Sequence, residues 1–532
     1  MTRARELSRL ITTGTFLSDA SVNSITIGRG AGDVSTNTAI GSSALNVNTT
    51  GSNNVAVGQF ALLANTTASY NTSIGRKSLY SNTTGSNNVA TGYQALYSNT
   101  TGVSNSGNSF NALYSNTEGD NNTAIGRNSL FSNTTGSKNV ASGRDALFSN
   151  TTASENTATG YYALLNNTTG NSNVATGTYA LRANTTGSQN TGNGYSALYN
   201  NTTGSYNTAN GYYALLNNTT GHSNVANGYQ SLYSNTTGTH NVAIGFETLY
   251  SNTTASENIA VGNKALKANT TGNQNTAQGA GALRSNTTGT RNSAVGYQAL
   301  YTNTTGNYNA AVGSNYCLGR NTTGSYNAAL GDGALAYNTT ASFNVAVGQA
   351  ALHLNTTGSN NTAVGYIALS NNTTGSNNTA SGFHALKANT TGSQNTAVGS
   401  RVLDANTTAS NNVAIGHDSL TSNSTGANNI AVGVNCMLNN TTASNNTAVG
   451  FKSLETNTTG HSNVANGYQS LYSNTTGFYN TASGLTSLYN NTTGESNVAT
   501  GYKALFSNTT GSNNTCLLYT SDAADDSLRV DL

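Results

Sequence analysis

The run Asn82–Ser98, NTTGSNNVATGYQALYS, decides the reading of the chain, because its neighbours are copies of it. Copies begin at Asn99, Asn116, Asn133 and Asn150, each 17 residues after the last. From Asn48 to Asn508 there are 28 such starts, and the register slips once, by one residue, between Asn303 and Asn321. A short period repeated this often describes one small unit stacked on itself.

Each unit is numbered here from its first Asn. Position 7 is Asn in all 28 units, among them Asn54, Asn71, Asn88, Asn122 and Asn241. Position 9 is always small and usually Ala, as in Ala56 and Ala90, with Ser73, Gly107 and Gly192 among the departures from Ala. Position 11 is Gly in 26 of 27 complete units (Gly58, Gly75 and Gly92, for example), the exception being Ser109. Position 15 is Leu in 25 of the 27, as at Leu62, Leu79, Leu96 and Leu130; Cys317 in the slipped unit and Met437 are the others.

Positions 7, 9 and 11 share a parity, which predicts a strand over positions 7 to 11 with an inner face of Asn, Ala and Gly. Leu at position 15 predicts a second short strand or bend that supplies the main apolar filling. Asn-Thr-Thr-Gly at positions 1 to 4 is turn chemistry, with Gly favouring a positive φ. Ala68, Ala153, Ala255, Ala341, Ala409 and Ala443 replace it in six units, so that φ is preferred and not compulsory. Two strands and two bends per unit make one coil of an all-β parallel solenoid. A helical repeat is disfavoured, because Gly at position 11 and Asn-Thr-Thr leave too few residues for a stable helix. Stacking would set position 7 in an Asn ladder at about 4.8 Å and give a rod of roughly 130 Å. The absence of Pro agrees with a continuous ladder.

Composition narrows the function classes. Of 532 residues, 7% are charged and 35% hydrophobic, with 58 Gly and no Trp, too few large aliphatics for conventional globular cores. A net charge of +2 without a basic stripe argues against a nucleic-acid partner. Cys317, Cys436 and Cys516 are far apart, supporting neither disulfides nor zinc. No apolar run reaches the roughly 18 residues of a membrane-spanning helix. His222, His240, His353, His384, His417 and His461 sit at variable positions without a carboxylate or Cys at fixed offset. The glycines never form GxGxxG ahead of a helix, and Asp is too scarce for a calcium-binding roll. The expectation is a protein that is not an enzyme and needs no cofactor or metal.

Four segments follow. Residues 1–20 form a leader in which Leu7, Leu10 and Ile11 permit a short helix between Arg3, Arg5 and Arg9. Residues 21–47 hold degenerate repeats, VNSITIGRGAG and STNTAIGSSAL, expected to cap the stack. Residues 48–515 are the regular array. Residues 516–532, CLLYTSDAADDSLRVDL, break it mid-unit and are similar to translated adapter read-through, so they are expected not to be native.

Two surface features remain. Asn-Thr-Thr is a formal glycosylation sequon in nearly every unit, although turn chemistry already accounts for it. Tyrosines recur at positions 12 and 16: Tyr93 and Tyr97, Tyr229 and Tyr233, Tyr297 and Tyr301, Tyr468 and Tyr472. They suit an adhesive stripe or packing between chains, and a core of Ala, Gly and one Leu per coil, thin for a lone chain, predicts a homotrimer.

Asn71-Thr72-Ser73-Ile74-Gly75, Asn122-Thr123-Ala124-Ile125-Gly126 and Asn241-Val242-Ala243-Ile244-Gly245 carry a string that resembles the NSVAIG repeat of YadA-like heads of trimeric autotransporter adhesins. Asn23-Ser24-Ile25-Thr26-Ile27-Gly28 carries it with one departure, and phage tail-fibre-like proteins hold similar stretches. The resemblance implies a left-handed parallel β-roll, three chains about one axis, and a head that binds extracellular matrix or a host surface. The expected function is a fibrous adhesin or tail-fibre-like shaft at a cell surface or virion. Its partner would be a surface, glycan or matrix ligand. A Thr-rank ice- or crystal-surface binder and a plain structural spacer are the alternatives.

Overall fold

A computed structural model describes residues 19–22 and 24–518. The proposed leader helix and nearly all of the proposed non-native tail lie outside them. The structure forms two compact units, divided between Lys264 and Ala265. Both are parallel β-solenoids in which each 17-residue repeat makes one coil, about 28 coils in all. No helix among the described residues is long and apolar enough to cross a membrane.

The first unit opens differently. Strands β1 (Ala20–Val22) and β2 (Ile25–Gly28) form an antiparallel hairpin, and β2 pairs antiparallel with β3 (Thr38–Ile40). Of the two degenerate repeats, only the second therefore makes a coil. From β3 onward pairing is parallel and in register: Thr38, Ala39 and Ile40 lie beside Val55, Ala56 and Val57 of β4 (Val55–Val57). Val225-Ala226-Asn227 beside Val242-Ala243-Ile244 shows the same pattern deeper in the unit. The second unit repeats it up to Thr515–Leu517, which pairs with Val498–Thr500. Cys516 and Leu517 thus extend the ladder past the expected end of the array.

The coil is leaner than its sequence predicts. Its strand spans positions 8 to 10 only, as in Val89–Thr91, and there is one strand per coil, not two. The other side is built from two consecutive turns, Ala95 N–H to Gly92 O at 3.4 Å and Asn99 N–H to Leu96 O at 3.3 Å. Backbone bonds between coils continue through those turns. Leu96 N–H donates to Ala112 O at 2.9 Å and Ser98 N–H to Tyr114 O at 3.0 Å.

Positive φ falls where no glycine marks it. Asn87 (62°), Gln94 (55°) and Leu96 (54°) are left-handed at positions 6, 13 and 15, a pattern repeated along both units. A left-handed leucine costs about 1–2 kcal/mol. Complete burial of its side chain returns about 1.5–3 kcal/mol, and the inter-coil hydrogen bond adds to that. Burial wins, and Leu62, Leu79, Leu96 and Leu130 are all 0% exposed. Gly at position 4 has no positive φ, contrary to expectation. It is small because the next coil is close: a Cβ on Gly102 would stand 2.6 Å from Gly119 O.

Gly58, Gly75 and Gly92 are half-buried at a corner and outside the core, with φ of 133°, 137° and 134°. There the chain turns out of the strand, and a Cβ on Gly58 would lie 2.6 Å from Gly75 O. The core proper is Ala at position 9, a small residue at 14, Leu at 15 and two asparagines. The extra residue of the slipped unit bulges at exposed Ser314, Asn315 and Tyr316. Leu300 N–H donates to Cys317 O and Leu318 N–H to Ala334 O, so Cys317 occupies position 14 and Leu318 the leucine site. Met437 alone departs from Leu there.

Candidate contact surface

Two buried amide ladders hold the coils before any side chain reaches the surface. At position 7, Asn54, Asn71, Asn88, Asn122 and Asn241 are 0% exposed. Asn71 N–H donates to Asn54 Oδ1 at 3.0 Å, Asn88 N–H to Asn71 Oδ1 at 2.9 Å, and Asn122 Nδ2 to Asn105 Oδ1 at 3.1 Å. The second ladder, at position 1, was hidden behind its reading as turn chemistry. Asn82 Nδ2 donates to Asn65 Oδ1 at 3.0 Å and to Gly85 O at 2.9 Å, and Asn99 repeats this against Asn82 and Gly102. Position 1 is the acceptor of the formal sequons. With both amide hydrogens engaged and Asn65, Asn82 and Asn99 fully buried, the position 1 nitrogens are closed to a glycosylating enzyme in the folded coil. Thr83 Oγ1 donates to Thr100 O at 3.1 Å, which leaves one exposed Thr column, at position 3 (Thr84).

The tyrosines at positions 12 and 16 form separate surface columns running from coil to coil. Tyr97 is the second ring in a column of Tyr80, Tyr97, Tyr114, Phe131 and Phe148, with centroids 5.0–5.1 Å apart and planes within 8°. Tyr229 stands between Tyr212 and Phe246 at 5.6 and 5.1 Å, with Tyr195 continuing that column. Tyr93 stacks on Phe110 at 5.2 Å and Tyr233 on Tyr250 at 5.0 Å. In the second unit Tyr468 stacks on Phe451 at 5.3 Å, and Tyr472, Tyr489 and Phe506 form a column at 5.0–5.2 Å. Tyr297 is exposed, while the Tyr301 hydroxyl receives a hydrogen bond from Arg284. Burial, then nearby Glu455, pushes the Tyr472 phenol up from its ordinary pKa.

No protein-family model matches this chain, and no curated protein matches it. The surface must therefore be read from its own geometry. A third column, Tyr308, Tyr326 and Phe343 at position 6, escaped the sequence reading. Counting Phe with Tyr at one position across successive units would have found it.

The outward strand residues make a further, apolar surface: Val89 is 43% exposed, Ile125 49% and Leu330 50%. Position 12 tyrosines are similarly open except for half-buried Tyr161, and those at position 16 are half-buried. Cations lie over several rings, among them Arg76 at 5.8 Å from the Tyr93 centroid and Arg320 at 4.1 Å from that of Tyr337. Among the described residues no group of three or more His, Cys, Asp or Glu could hold a metal ion. The Cys317 and Cys436 thiols are buried and pushed up to about 12, chiefly by burial, so they are protonated and unreactive at neutral pH.

Proposed function

We propose that this chain is a non-enzymatic fibrous adhesin or tail-fibre-like shaft that makes multivalent contacts with a glycan, matrix or cell surface. The observation that carries this reading is the set of pre-stacked aromatic columns on its surface. Each ring is held by its neighbours in the next coils, so contact area is presented with little side-chain entropy left to lose on binding. Identical weak contacts repeated coil after coil add by avidity, and affinity then rises with the number of coils engaged. The resemblance to autotransporter heads and tail fibres supports the same reading and a location outside the cell or on a virion.

The proposed assembly is a homotrimer. Uncovered Val and Ile columns on the strand face support it, because a second copy would remove that apolar surface from water. A stable folded monomer in sedimentation would contradict this part alone. The function itself is tested by binding the full chain to a glycan array and to intact cell surfaces while following product release. Retained binding without turnover is the expected result. Binding unaffected by alanine at Tyr97, Tyr114 and Phe131 together would contradict the role given to that column.

A further inference from the structure

We infer that a cleft beside Arg182 is a binding subsite for an acidic sugar, a pyranose bearing a carboxylate. The inference rests on the surface-contact reading above and gives it a ligand class at one place. The cleft, of about 470 Å³, lies in the first unit. It opens where the Tyr80–Phe148 column stops, because position 16 continues as Leu165 and Arg182 before returning to Tyr199. Phe148, Tyr162 and Leu165 give it an apolar wall, and Arg144, Asp145 and Arg182 its charges.

Those charges do not cancel. Asp145, 7% exposed, accepts Arg144 Nε at 3.0 Å and Asn128 Nδ2 at 3.0 Å, so its carboxylate is already satisfied. Arg182 has no carboxylate within ion-pair distance among the described residues. Its Nη1 donates to Tyr199 Oη at 2.6 Å, while its buried Nε has no partner. A guanidinium carries five donors. Two cations facing one anion leave the cleft net positive, with the Arg182 guanidinium laid over the Tyr162 and Tyr199 rings at 6.0 and 5.4 Å and no carboxylate beside it, a charge that a ligand carboxylate would balance. The aromatic wall meets the apolar face of a pyranose, and the Arg144 side of the cleft can bond its hydroxyls. Arg401, by contrast, is paired with Asp418 at 2.6 Å and leaves no such excess.

The test is calorimetric titration of the full chain with glucuronate, glucose and inorganic phosphate. Glucuronate should bind at least ten-fold tighter than either other probe. Arg182→Gln should remove that preference and Arg401→Gln should keep it. Leu165→Glu, which sets a carboxylate at the cleft on an outward position, should also remove it, and serves if Arg182→Gln does not fold. Equal affinity for glucuronate and glucose, equal affinity for phosphate, or a preference that survives both cleft variants would overturn the assignment. Surface binding retained through the aromatic columns, with no preference for glucuronate, would refute the cleft alone; loss of surface binding as well would refute both readings.

Discussion

Asn88 grips the coil that follows it through both ends of one amide: its Oδ1 accepts the Asn105 N–H at 2.9 Å, and its Nδ2 donates to Gly102 O at 2.9 Å. Asn105 in turn repeats the contact toward Asn122 at 3.0 Å. A donor and an acceptor are needed at one short reach, where the backbone enters the strand. Asp lacks the donor, Leu lacks both, and Gln is a methylene too long. That requirement explains why position 7 never varies.

Interrupting this ladder should be costly. Asn241 accepts the Asn258 N–H at 3.1 Å and donates to Ala255 O at 2.8 Å. Asn241→Leu keeps the branched shape but orphans the Asn258 amide, and should destabilise the first unit by about 1–3 kcal/mol. Asn241→Asp should cost more, because a buried carboxylate loses the donor as well. Urea denaturation gives the loss, and faster hydrogen exchange at the Asn258 amide locates it.

Ser109 is the one residue at position 11 that is not glycine, and its φ is 138°. A side chain is strained there by about 1–3 kcal/mol. Ser109→Gly should therefore raise stability by about 1 kcal/mol, despite the added freedom of the unfolded chain. Gly245→Ala should do the opposite, since its φ is 132° and the new Cβ would meet Gly262 O at 2.7 Å. Paired thermal melts of the two variants check both signs.

Tyr114 stands mid-column, 5.1 Å from both Tyr97 and Phe131. Two ring pairs at about 0.5–1.5 kcal/mol each set the scale of its loss. Tyr114→Ala should cost about 1–2 kcal/mol and Tyr114→Phe very little. A phenylalanine variant that destabilised as much as the alanine one would show that the hydroxyl, and not the stack, does the holding.

Cys436 carries a pH signature. Its ordinary pKa is 9.0, and burial raises it to about 12 in the folded chain. Below 9 both states keep the proton and its full contribution to stability is present. Between 9 and about 12 the unfolded chain ionises first, so stability falls as pH rises, by about 1 kcal/mol per pH unit. Ser already occupies this position at Ser419 and Ser453, and both are buried. Cys436→Ser should fold and lose less stability above pH 9 than the parent in parallel urea titrations.

The solenoid was legible because identity at a fixed 17-residue spacing admits few other structures. Its inner details were legible only where one residue type has one use. Asn54 and its kin read as a ladder at once. Asn65 and Asn82, equally constant, read as turn chemistry, since Asn beside Thr serves turns as well as ladders. At Leu96 the sequence leaves a second short strand and a bend both open, because a lone apolar residue does not report its own backbone. Inter-coil hydrogen bonds and a buried pocket hold it left-handed. Gly85 misled in the other direction, signalling a conformation when it marks a close approach. The aromatic columns are legible only in part, because Tyr93 and Tyr97 stand out as a pair within one coil, whereas rings meet between coils.

Pairs of nitroxide labels test the stacking most directly. In a background with the native cysteines replaced by Ser, labels at Val140 and Thr157 occupy partners in adjacent parallel strands. Neighbouring strands run about 4.8 Å apart. Continuous-wave spectra of that pair should show spin exchange, and a pair at Val140 and Ser149, on different positions of the coil, should not. Absence of exchange between Val140 and Thr157 would mean that residues one repeat apart do not lie on one another, and the solenoid account would be wrong.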